Sequence, residues 1–323
     1  MGIRIAINGF GRIGRSVLKA LYASNRQEQI QVVAINDIES FSTVAEHVKN
    51  DLSGLNIKLS TDKNTLLIAG RDVHYSSQAN PVKLPWKSLN IDVVLECTGQ
   101  FTQAESAHMH ILAGAKKVLI SALSDDKVDA TIVYGVNQAD LKAEHKVVSN
   151  GSCTLNCLAH MVSVLDAAMG VEYGLSTTLH AYDDRHESMV EQIPMIPTKT
   201  NSPNSIGLVL PHMKGKIDGL SIRLSTINVA MLDVTFSSKN QTTVAEVNER
   251  MRQAASASLQ GALGYSEENA VSTDFSVHPA SCVFDATQTK VTAGRLVKVV
   301  GWFDNEWGFS NRMLDTAQAM MTN

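Results

Sequence analysis

Cys153 lies where a turn-prone segment, residues 148–152 (VSNGS), leads into an apolar pattern with helical spacing. Its thiol is therefore expected at a helix N-terminus, where the positive end of the helix dipole favours thiolate over thiol. Because a thiolate attacks carbonyl carbon, the pattern predicts that Cys153 is a nucleophile. The competing interpretation is a buried structural cysteine, the more common state of a lone intracellular cysteine.

His180 closes the β-rich run of residues 175–180, where a strand end would set an imidazole beside a thiol. This placement predicts a general base for Cys153. A histidine on an apolar strand can equally be a satisfied core residue, so both interpretations of His180 stay open on sequence alone.

A glycine-rich turn near the start of the chain is the second segment that could do chemistry. An apolar strand over residues 3–8 leads directly into it, and residues 15–22 then have a helical pattern. In this setting the glycines allow a tight turn, close approach of a pyrophosphate and packing of helix on strand, with the phosphates on the helix N-terminal amides. The predicted cofactor-binding residues of this turn are Gly9, Gly11, Arg12, Ile13 and Gly14.

Asp37 follows the second apolar strand, residues 30–35, at the spacing expected of an acid that binds the adenosine ribose. A carboxylate there accepts a hydrogen bond from a free 2′-hydroxyl and repels a 2′-phosphate. The sequence therefore predicts NAD rather than NADP as the cofactor. The alternative is that Asp37 is a turn residue that caps the next segment.

Strand and helix patterns alternate through the first half of the chain, with further strands at 92–97, 116–122 and 130–135 and a helix at 103–115. Such alternation is typical of a Rossmann-type, doubly wound parallel sheet with helices on both faces. Ligands of this fold bind at the carboxyl ends of the strands. Gly9, Asp37, Thr98 and Ser121 all follow strands, so we expect them to line one crevice.

The second half changes character, since long alternating runs at 219–224, 228–237, 281–291 and 296–303 predict a mainly antiparallel sheet. A helix at 244–257 is expected to cover it, and residues 183–206 are expected to form an irregular loop. We therefore predict an NAD-binding domain over 1–150, a catalytic domain over 151–307, and a C-terminal helix, 308–323, that returns to the first domain.

Composition excludes several classes of function. The 323 residues carry a formal net charge of −4 with both signs mixed, so no nucleic-acid partner is expected. No segment has the length of a membrane span or the pattern of a signal peptide, so we expect a cytoplasmic protein without a membrane partner. The four cysteines show neither a disulfide framework nor zinc-ligand spacing, so no metal site is expected.

Four segments together resemble a known family over essentially the whole chain: 8–15 (NGFGRIGR), 152–156 (SCTLN), 180–182 (HAY) and 304–308 (DNEWG). They are similar to the phosphorylating glyceraldehyde-3-phosphate dehydrogenases of glycolysis and equally to the related erythrose-4-phosphate dehydrogenases. Segments 84–86 (LPW), 134–138 (YGVNQ) and 285–289 (DATQT) look more like the erythrose branch. Segments 180–182 and 207–211 (GLVLP) look more like the glyceraldehyde branch, and we favour the triose phosphate.

The resemblance implies that Cys153 forms a thiohemiacetal with the aldehyde, with His180 as base and Asn305 holding the nicotinamide amide. An acyl-enzyme thioester would then be released by inorganic phosphate, or by water in the erythrose branch. It also implies a homotetramer. The positions that match the family's substrate and phosphate contacts are Ser152, Thr154, Asp183, Thr200, Asn201 and Arg223.

Departures from the family's pattern keep two other interpretations open. Asp183 stands where a threonine is common, and Asn201 where a glycine is common. The loop after His180 is about ten residues shorter than usual, Phe309 replaces a tyrosine, and the oligomeric state is in question for the same reason. The alternatives are a dehydrogenase of another aldehyde with an altered phosphate site, and a non-enzymatic, NAD-responsive role.

Overall fold

The computed structural model describes residues 2–51, 57–60, 64–124, 127–181, 195–224 and 228–322. The chain forms two compact units. The first comprises Met1–Ile132, Gln138–Gly151 and Met313–Asn323, and the second comprises Val133–Asn137 and Ser152–Arg312.

Within the described residues, the first unit contains a nine-stranded sheet in the spatial order β3-β4-β5-β2-β1-β6-β7-β9-β8. Its strands are β1 (Ile3–Asn8), β2 (Ile30–Asn36), β3 (Ile57–Ser60), β4 (Thr65–Ile68), β5 (Arg71–Ser76), β6 (Val93–Glu96), β7 (Lys117–Ile120), β8 (Ala130–Thr131) and β9 (Val147–Ser149). In this spatial order, every neighbouring pair from β5 across to β8 is parallel, whereas the pairs β3–β4 and β4–β5 at the other edge are antiparallel. The predicted parallel sheet is confirmed, and the antiparallel strands β3 and β4 extend one edge of it.

Three helices accompany this sheet: α1 (Arg12–Ala23), α2 (Phe41–Asp51) and α3 (Ala104–Leu112). The amphipathic α1 buries Val17, Leu18 and Leu21. It begins at Arg12 rather than at the predicted residue 15, so Gly14 lies inside its first turn. The central strands are mostly apolar, as expected of strands enclosed on both faces, and Ile5, Ile7 and Leu95 are completely buried.

The second unit contains an eight-stranded sheet among its described residues, in the order β11-β12-β10-β13-β17-β15-β14, with β16 paired to β17. Its strands are β10 (Val171–Ala181), β11 (Ile196–Thr198), β12 (Ile217–Leu224), β13 (Val229–Ser238), β14 (Leu263–Ser266), β15 (Cys282–Asp285), β16 (Lys290–Thr292) and β17 (Leu296–Asp304). It is mainly antiparallel, as predicted, with two parallel pairs, β10–β12 and β14–β15.

The predicted strand over 281–291 is interrupted. Asp285 Oδ1 accepts a hydrogen bond from the Thr287 backbone nitrogen at 3.0 Å, and a 3-10 turn at Ala286–Gln288 separates β15 from β16. Alternation alone did not show this side-chain cap. Other 3-10 turns are Pro81–Lys83, Gln138–Asp140, Pro211–Met213 and Ser272–Phe275.

The remaining helices are α4 (Cys153–Met169), α5 (Ile206–Val209), α6 (Val244–Ser256) and α7 (Trp307–Thr322). Helix α4 is largely apolar and buries Leu158, Met161 and Leu165. The division between the two units falls inside α7, after Arg312. Of the helices in the described part of the chain, none is both long and apolar enough to cross a membrane.

Candidate active site

A cavity of about 450 Å³ in the first unit lies at the carboxyl ends of β1, β2 and β6. Four of the predicted cofactor-binding residues line it: Gly9, Gly11, Asp37 and Thr98. Its position agrees with the rule that ligands of doubly wound sheets bind beyond the carboxyl ends of the strands.

The three glycines of the turn have three different surroundings. Gly9 has φ +90°, and a Cβ there would lie 2.6 Å from the backbone nitrogen of Thr98. A Cβ on Gly14 would lie 2.2 Å from the Gly9 carbonyl oxygen, so helix and turn pack without room for a side chain. A Cβ on Gly11 would meet no atom of the described chain within 4 Å. Gly11 therefore leaves the backbone at the start of α1 open to a ligand.

Asp37 joins the second strand to this turn. Its Oδ2 accepts a hydrogen bond from the Phe10 backbone nitrogen at 2.5 Å, and its Oδ1 accepts one from the Glu39 backbone nitrogen at 3.0 Å. A carboxylate offers about four acceptor positions, so both oxygens retain capacity for ribose hydroxyls. Glu39 also lines the cavity, and two carboxylates disfavour a 2′-phosphate there.

A buried polar network lies under the cavity. Asn36 Nδ2 donates to Asn8 Oδ1 at 2.7 Å, and Asn8 Nδ2 donates to Glu96 Oε2 at 2.6 Å. The Trp86 indole donates a hydrogen bond to His110 Nδ1 at 3.0 Å. Since Nδ1 accepts this bond, the imidazole proton is on Nε2, which lies 2.9 Å from the same Glu96 oxygen. The network fixes the ends of β1, β2 and β6 relative to one another.

Other predicted cofactor residues do not line this cavity. Arg12 is exposed at the start of α1, Ile13 is partly buried, and Gly14 packs against the turn. Ser121 follows β7, where its backbone nitrogen donates to the Glu96 carbonyl at 3.0 Å. The sequence reasoning missed Phe10, Glu39, Gln78 and Phe101, although their positions directly after strands or predicted motifs could have indicated them.

Cys153 is the first residue of α4, in the second unit. Ser152 caps the helix, and its hydroxyl accepts a hydrogen bond from the Leu155 backbone nitrogen at 3.0 Å. Burial raises the pKa of the Cys153 thiol, while hydrogen bonds from Thr154 and from the helix N-terminal amides, together with the charge of Arg223, act to lower it. The expected helix-end effect is present, but desolvation outweighs it.

His180 lies near the end of β10, directly opposite Arg223 on the parallel strand β12. Burial, and secondarily the Arg223 charge, lower the pKa of His180 to about 4, while the Asn305 amide acts in the opposite direction. The ring of Phe303 contacts the imidazole edge to face, with centroids 5.6 Å apart. The His180 imidazole is therefore neutral at physiological pH.

Thr154 follows Cys153 in the first turn of α4 and contacts His180. Its Oγ1 lies 2.9 Å from His180 Nε2, and Thr154 also acts to lower the pKa of the Cys153 thiol. The predicted nucleophile and base thus belong to one local cluster.

Hydroxyl groups and a guanidinium surround this cluster. Ser152 Oγ lies 3.1 Å from Ser202 Oγ, and the Thr200 hydroxyl accepts the Ser202 backbone nitrogen at 3.2 Å. Arg223 Nη1 donates to the Ala181 carbonyl at 3.0 Å. Ser202 was not predicted from the sequence; its contact with Ser152, the cap of α4, brings it into this cluster. Asn201 precedes Ser202, whereas Asp183 lies outside the described residues.

Asn305 is held at the end of β17. Its backbone nitrogen donates to the Asn228 carbonyl at 3.0 Å, and its side-chain amide acts to raise the pKa of His180. Asp304, also missed from sequence, accepts the Glu306 and Trp307 backbone nitrogens at 2.9 and 2.8 Å. This cap on α7 fixes the backbone that carries Asn305.

These features fit a dinucleotide cofactor. The open backbone at Gly11 suits a pyrophosphate, and Asp37 suits a ribose. In the part of the chain that the structure describes, no cluster of three or more His, Cys, Asp or Glu residues is arranged to hold a metal ion.

Comparison with known proteins agrees with this fit. Residues 3–104 match the family model described as "Glyceraldehyde 3-phosphate dehydrogenase, NAD binding domain", and residues 152–305 match the corresponding C-terminal domain. The chain is 48% identical to a glyceraldehyde-3-phosphate dehydrogenase of Pseudomonas aeruginosa, an alignment that covers 99% of this chain and 98% of the relative. It is 46% identical to the plasmid-encoded glyceraldehyde-3-phosphate dehydrogenase of Cupriavidus necator and 42% identical to that of Zymomonas mobilis, with 99% of both chains covered in each case.

Proposed function

The chain belongs to the glyceraldehyde 3-phosphate dehydrogenase family and is an NAD-dependent oxidoreductase of that type, and on this premise we propose that it oxidises a phosphorylated short-chain aldose. Glyceraldehyde 3-phosphate is the favoured substrate, since the relatives named above carry that activity in their names. The observation that carries the proposal is the cluster of Cys153, Thr154, His180 and Arg223 at one end of α4.

Cys153 is proposed to attack the aldehyde carbon and form a thiohemiacetal. His180 takes up the proton, because its lowered pKa keeps the imidazole neutral and able to accept it. The Cys153 backbone amide, at the helix N-terminus, stabilises the oxyanion. NAD, when bound, supplies the hydride acceptor, and Gly9, Gly11 and Asp37 would hold it.

Inorganic phosphate is proposed to release the acyl group from the Cys153 thioester. Arg223 is a partly buried cation on a strand and suits a phosphate group of the substrate or of the attacking ion. Further hydroxyl and amide groups close to Cys153 in the proposed site come from Ser152, Thr154, Thr200 and Asn201. These are hydrogen-bonding groups of the kind that phosphate oxygens accept.

Erythrose 4-phosphate is the second candidate substrate, with release of the acid by water. It is motivated by segments 84–86 and 285–289, which look more like that branch. A different aldehyde would be expected if Asp183 stands in the phosphate site, since a carboxylate repels phosphate. A role without catalysis leaves the Cys153–Thr154–His180 arrangement without a use.

The protein is also proposed to form a homo-oligomer, with a tetramer implied by the resemblance. The second sheet exposes the large apolar side chains of Tyr173, Leu175 and Leu220, which are 66%, 67% and 44% accessible. Exposed apolar groups of this kind, where they are contiguous, mark association surfaces. Light scattering of the purified protein tests this part, and a monomer would reject it.

The experiment for the central proposal is NADH formation with each sugar phosphate, with and without inorganic phosphate. Phosphate-dependent oxidation of glyceraldehyde 3-phosphate is expected. Preference for erythrose 4-phosphate without need of phosphate would support the second candidate. No reaction with either substrate, while NAD binds, would reject both.

A further inference from the structure

We propose that His110 is a positioning residue for NAD: it fixes residues 97–101, which form one wall of the cofactor cavity. The inference rests on the proposed cofactor site and not on the identity of the aldehyde. His110 is on α3, is completely buried and does not line the cavity. It therefore has no contact with the cofactor of its own, and its effect passes through the residues that it touches.

The first attachment of the wall to His110 is a chain of hydrogen bonds through Glu96, the last residue of β6. His110 Nε2 donates to Glu96 Oε2 at 2.9 Å. The other carboxylate oxygen, Oε1, accepts hydrogen bonds from the Thr98 backbone nitrogen at 2.8 Å and from the Thr98 hydroxyl. That hydroxyl in turn accepts a hydrogen bond from the Gln100 backbone nitrogen at 3.0 Å. The chain thus joins His110 to the middle of the wall.

The second attachment is a ring contact at the far end of the wall. The Phe101 ring meets the His110 imidazole edge to face, with centroids 6.1 Å apart and an interplanar angle of 82°. Cys97, Thr98, Gln100 and Phe101 all line the cavity. Because His110 holds this wall at two separate points, substitution of one buried side chain is expected to change the shape of the cavity.

Trp86 fixes the direction of these hydrogen bonds. Its indole N–H can only donate, so His110 Nδ1 accepts the bond at 3.0 Å and Nε2 carries the proton. Asn8 Nδ2 donates to the same Glu96 Oε2 at 2.6 Å, so two donors converge on this oxygen and two on the other. A carboxylate offers about four acceptor positions, and all of them are used here.

Thr98 therefore acts through its position and not as a phosphate ligand. Its backbone N–H and its hydroxyl proton are both donated to Glu96 Oε1. The oxygens of a pyrophosphate accept hydrogen bonds, and Thr98 has no donor left for them. Its contribution to cofactor binding is the shape of the wall, which His110 maintains.

The test measures the dissociation constant of NAD by titration of the whole protein and of His110→Phe and His110→Gln. Phenylalanine keeps a ring against Phe101 but has no N–H for Glu96, whereas glutamine can place an amide N–H where Nε2 lies. His74→Phe is the matched control, because His74 is a half-buried histidine on β5 of the same sheet and does not line the cavity. Urea unfolding without NAD gives the stability of each variant.

We expect His110→Phe to raise the NAD dissociation constant about tenfold, since the loss of one partner of a buried hydrogen bond to a carboxylate is large enough for such a change. The Michaelis constant for NAD should rise with it, while kcat at saturating NAD changes much less. His110→Gln should recover most of the affinity, and His74→Phe should bind NAD as the parent protein does.

Parental NAD affinity in His110→Phe, together with lower stability toward urea, would overturn the proposal, because His110 would then serve stability alone. An equal rise of the dissociation constant in His74→Phe would also overturn it, since loosening of the whole sheet would account for the effect.

Glu96→Gln is the second variant, for the case that His110→Phe does not fold. Glu96 is buried and does not line the cavity, and its amide replacement turns an N–H towards groups that are themselves donors. The dissociation constant of NAD should rise here as well, and parental affinity would overturn the proposal. The titration needs no aldehyde. Failure of the parent protein to bind NAD would reject the cofactor site itself, which is a distinguishable result.

Discussion

His180 and Arg223 face each other as register partners on the parallel strands β10 and β12. The pairing sets a cation beside a buried imidazole, and burial together with this charge lowers the pKa of His180 to about 4. The same cation is available to an anionic substrate. Arg223 is therefore proposed to have two effects that substitution can separate, one on the pKa of His180 and one on phosphate binding.

Substitution of Arg223 should move the pH dependence of acylation. A neutral imidazole accepts the thiol proton, so the acid limb of the burst rate follows the pKa of His180. Arg223→Met removes the positive charge and should raise that pKa, which shifts the acid limb to higher pH; burial keeps the pKa below its ordinary value. The measurement is the NADH burst against pH with unphosphorylated glyceraldehyde, which does not need a phosphate contact.

Arg223→Lys is the control for this prediction, since it retains the charge and should retain the acid limb. An acid limb that stays in place in Arg223→Met would show that the guanidinium does not influence His180.

Cofactor selectivity should depend on Asp37. Asp37→Asn keeps the size of the side chain and removes the charge that repels a 2′-phosphate. We expect the ratio of kcat/KM for NADP to that for NAD to rise at least about tenfold, equivalent to about 1.4 kcal/mol. Glu39 lines the same cavity, and Glu39→Gln should raise this ratio by less. An unchanged ratio in Asp37→Asn would assign the selectivity to another group.

Two glycines of one motif should respond oppositely to alanine. In Gly14→Ala the new methyl meets the Gly9 carbonyl oxygen, 2.2 Å away, and overpacking of this kind costs about 1–3 kcal/mol of folding free energy. In Gly11→Ala the methyl enters open space, so stability should hold while NAD affinity falls, since the methyl obstructs the pyrophosphate. Urea unfolding and NAD titration of both variants check this, and equal destabilisation of the two would contradict it.

Much of the first unit follows from short-range patterns. The strand–turn–helix signal around Gly9 predicted a cavity that the structure contains, because glycine spacing and strand polarity are local properties. The strands β3, β4 and β5 carried no comparable signal. They pair with one another as neighbours along the chain, whereas β5 joins the rest of the sheet by pairing with the distant strand β2, with Ala34 opposite His74.

The proposed catalytic cluster was only partly predictable. Cys153 and His180 were proposed from residue type and position, but the contact of the Thr154 hydroxyl with His180 was not foreseen. Thr154 was assigned to phosphate because the resemblance suggested it, whereas its contact with His180 depends on the approach of α4 to β10. The protonation of Cys153 was predicted from the helix dipole alone, and desolvation, which sequence does not reveal, has the larger effect.

Covalent chemistry at Cys153 is the central claim, and mass spectrometry of the protein mixed with NAD and glyceraldehyde 3-phosphate, without inorganic phosphate, tests it most directly. We predict one equivalent of NADH and one phosphoglyceroyl group, located on Cys153 and released when phosphate is added. Cys153→Ser should bind NAD almost as well as the parent protein but form neither product. Steady NADH formation by Cys153→Ser, or an adduct on another residue, would contradict the account.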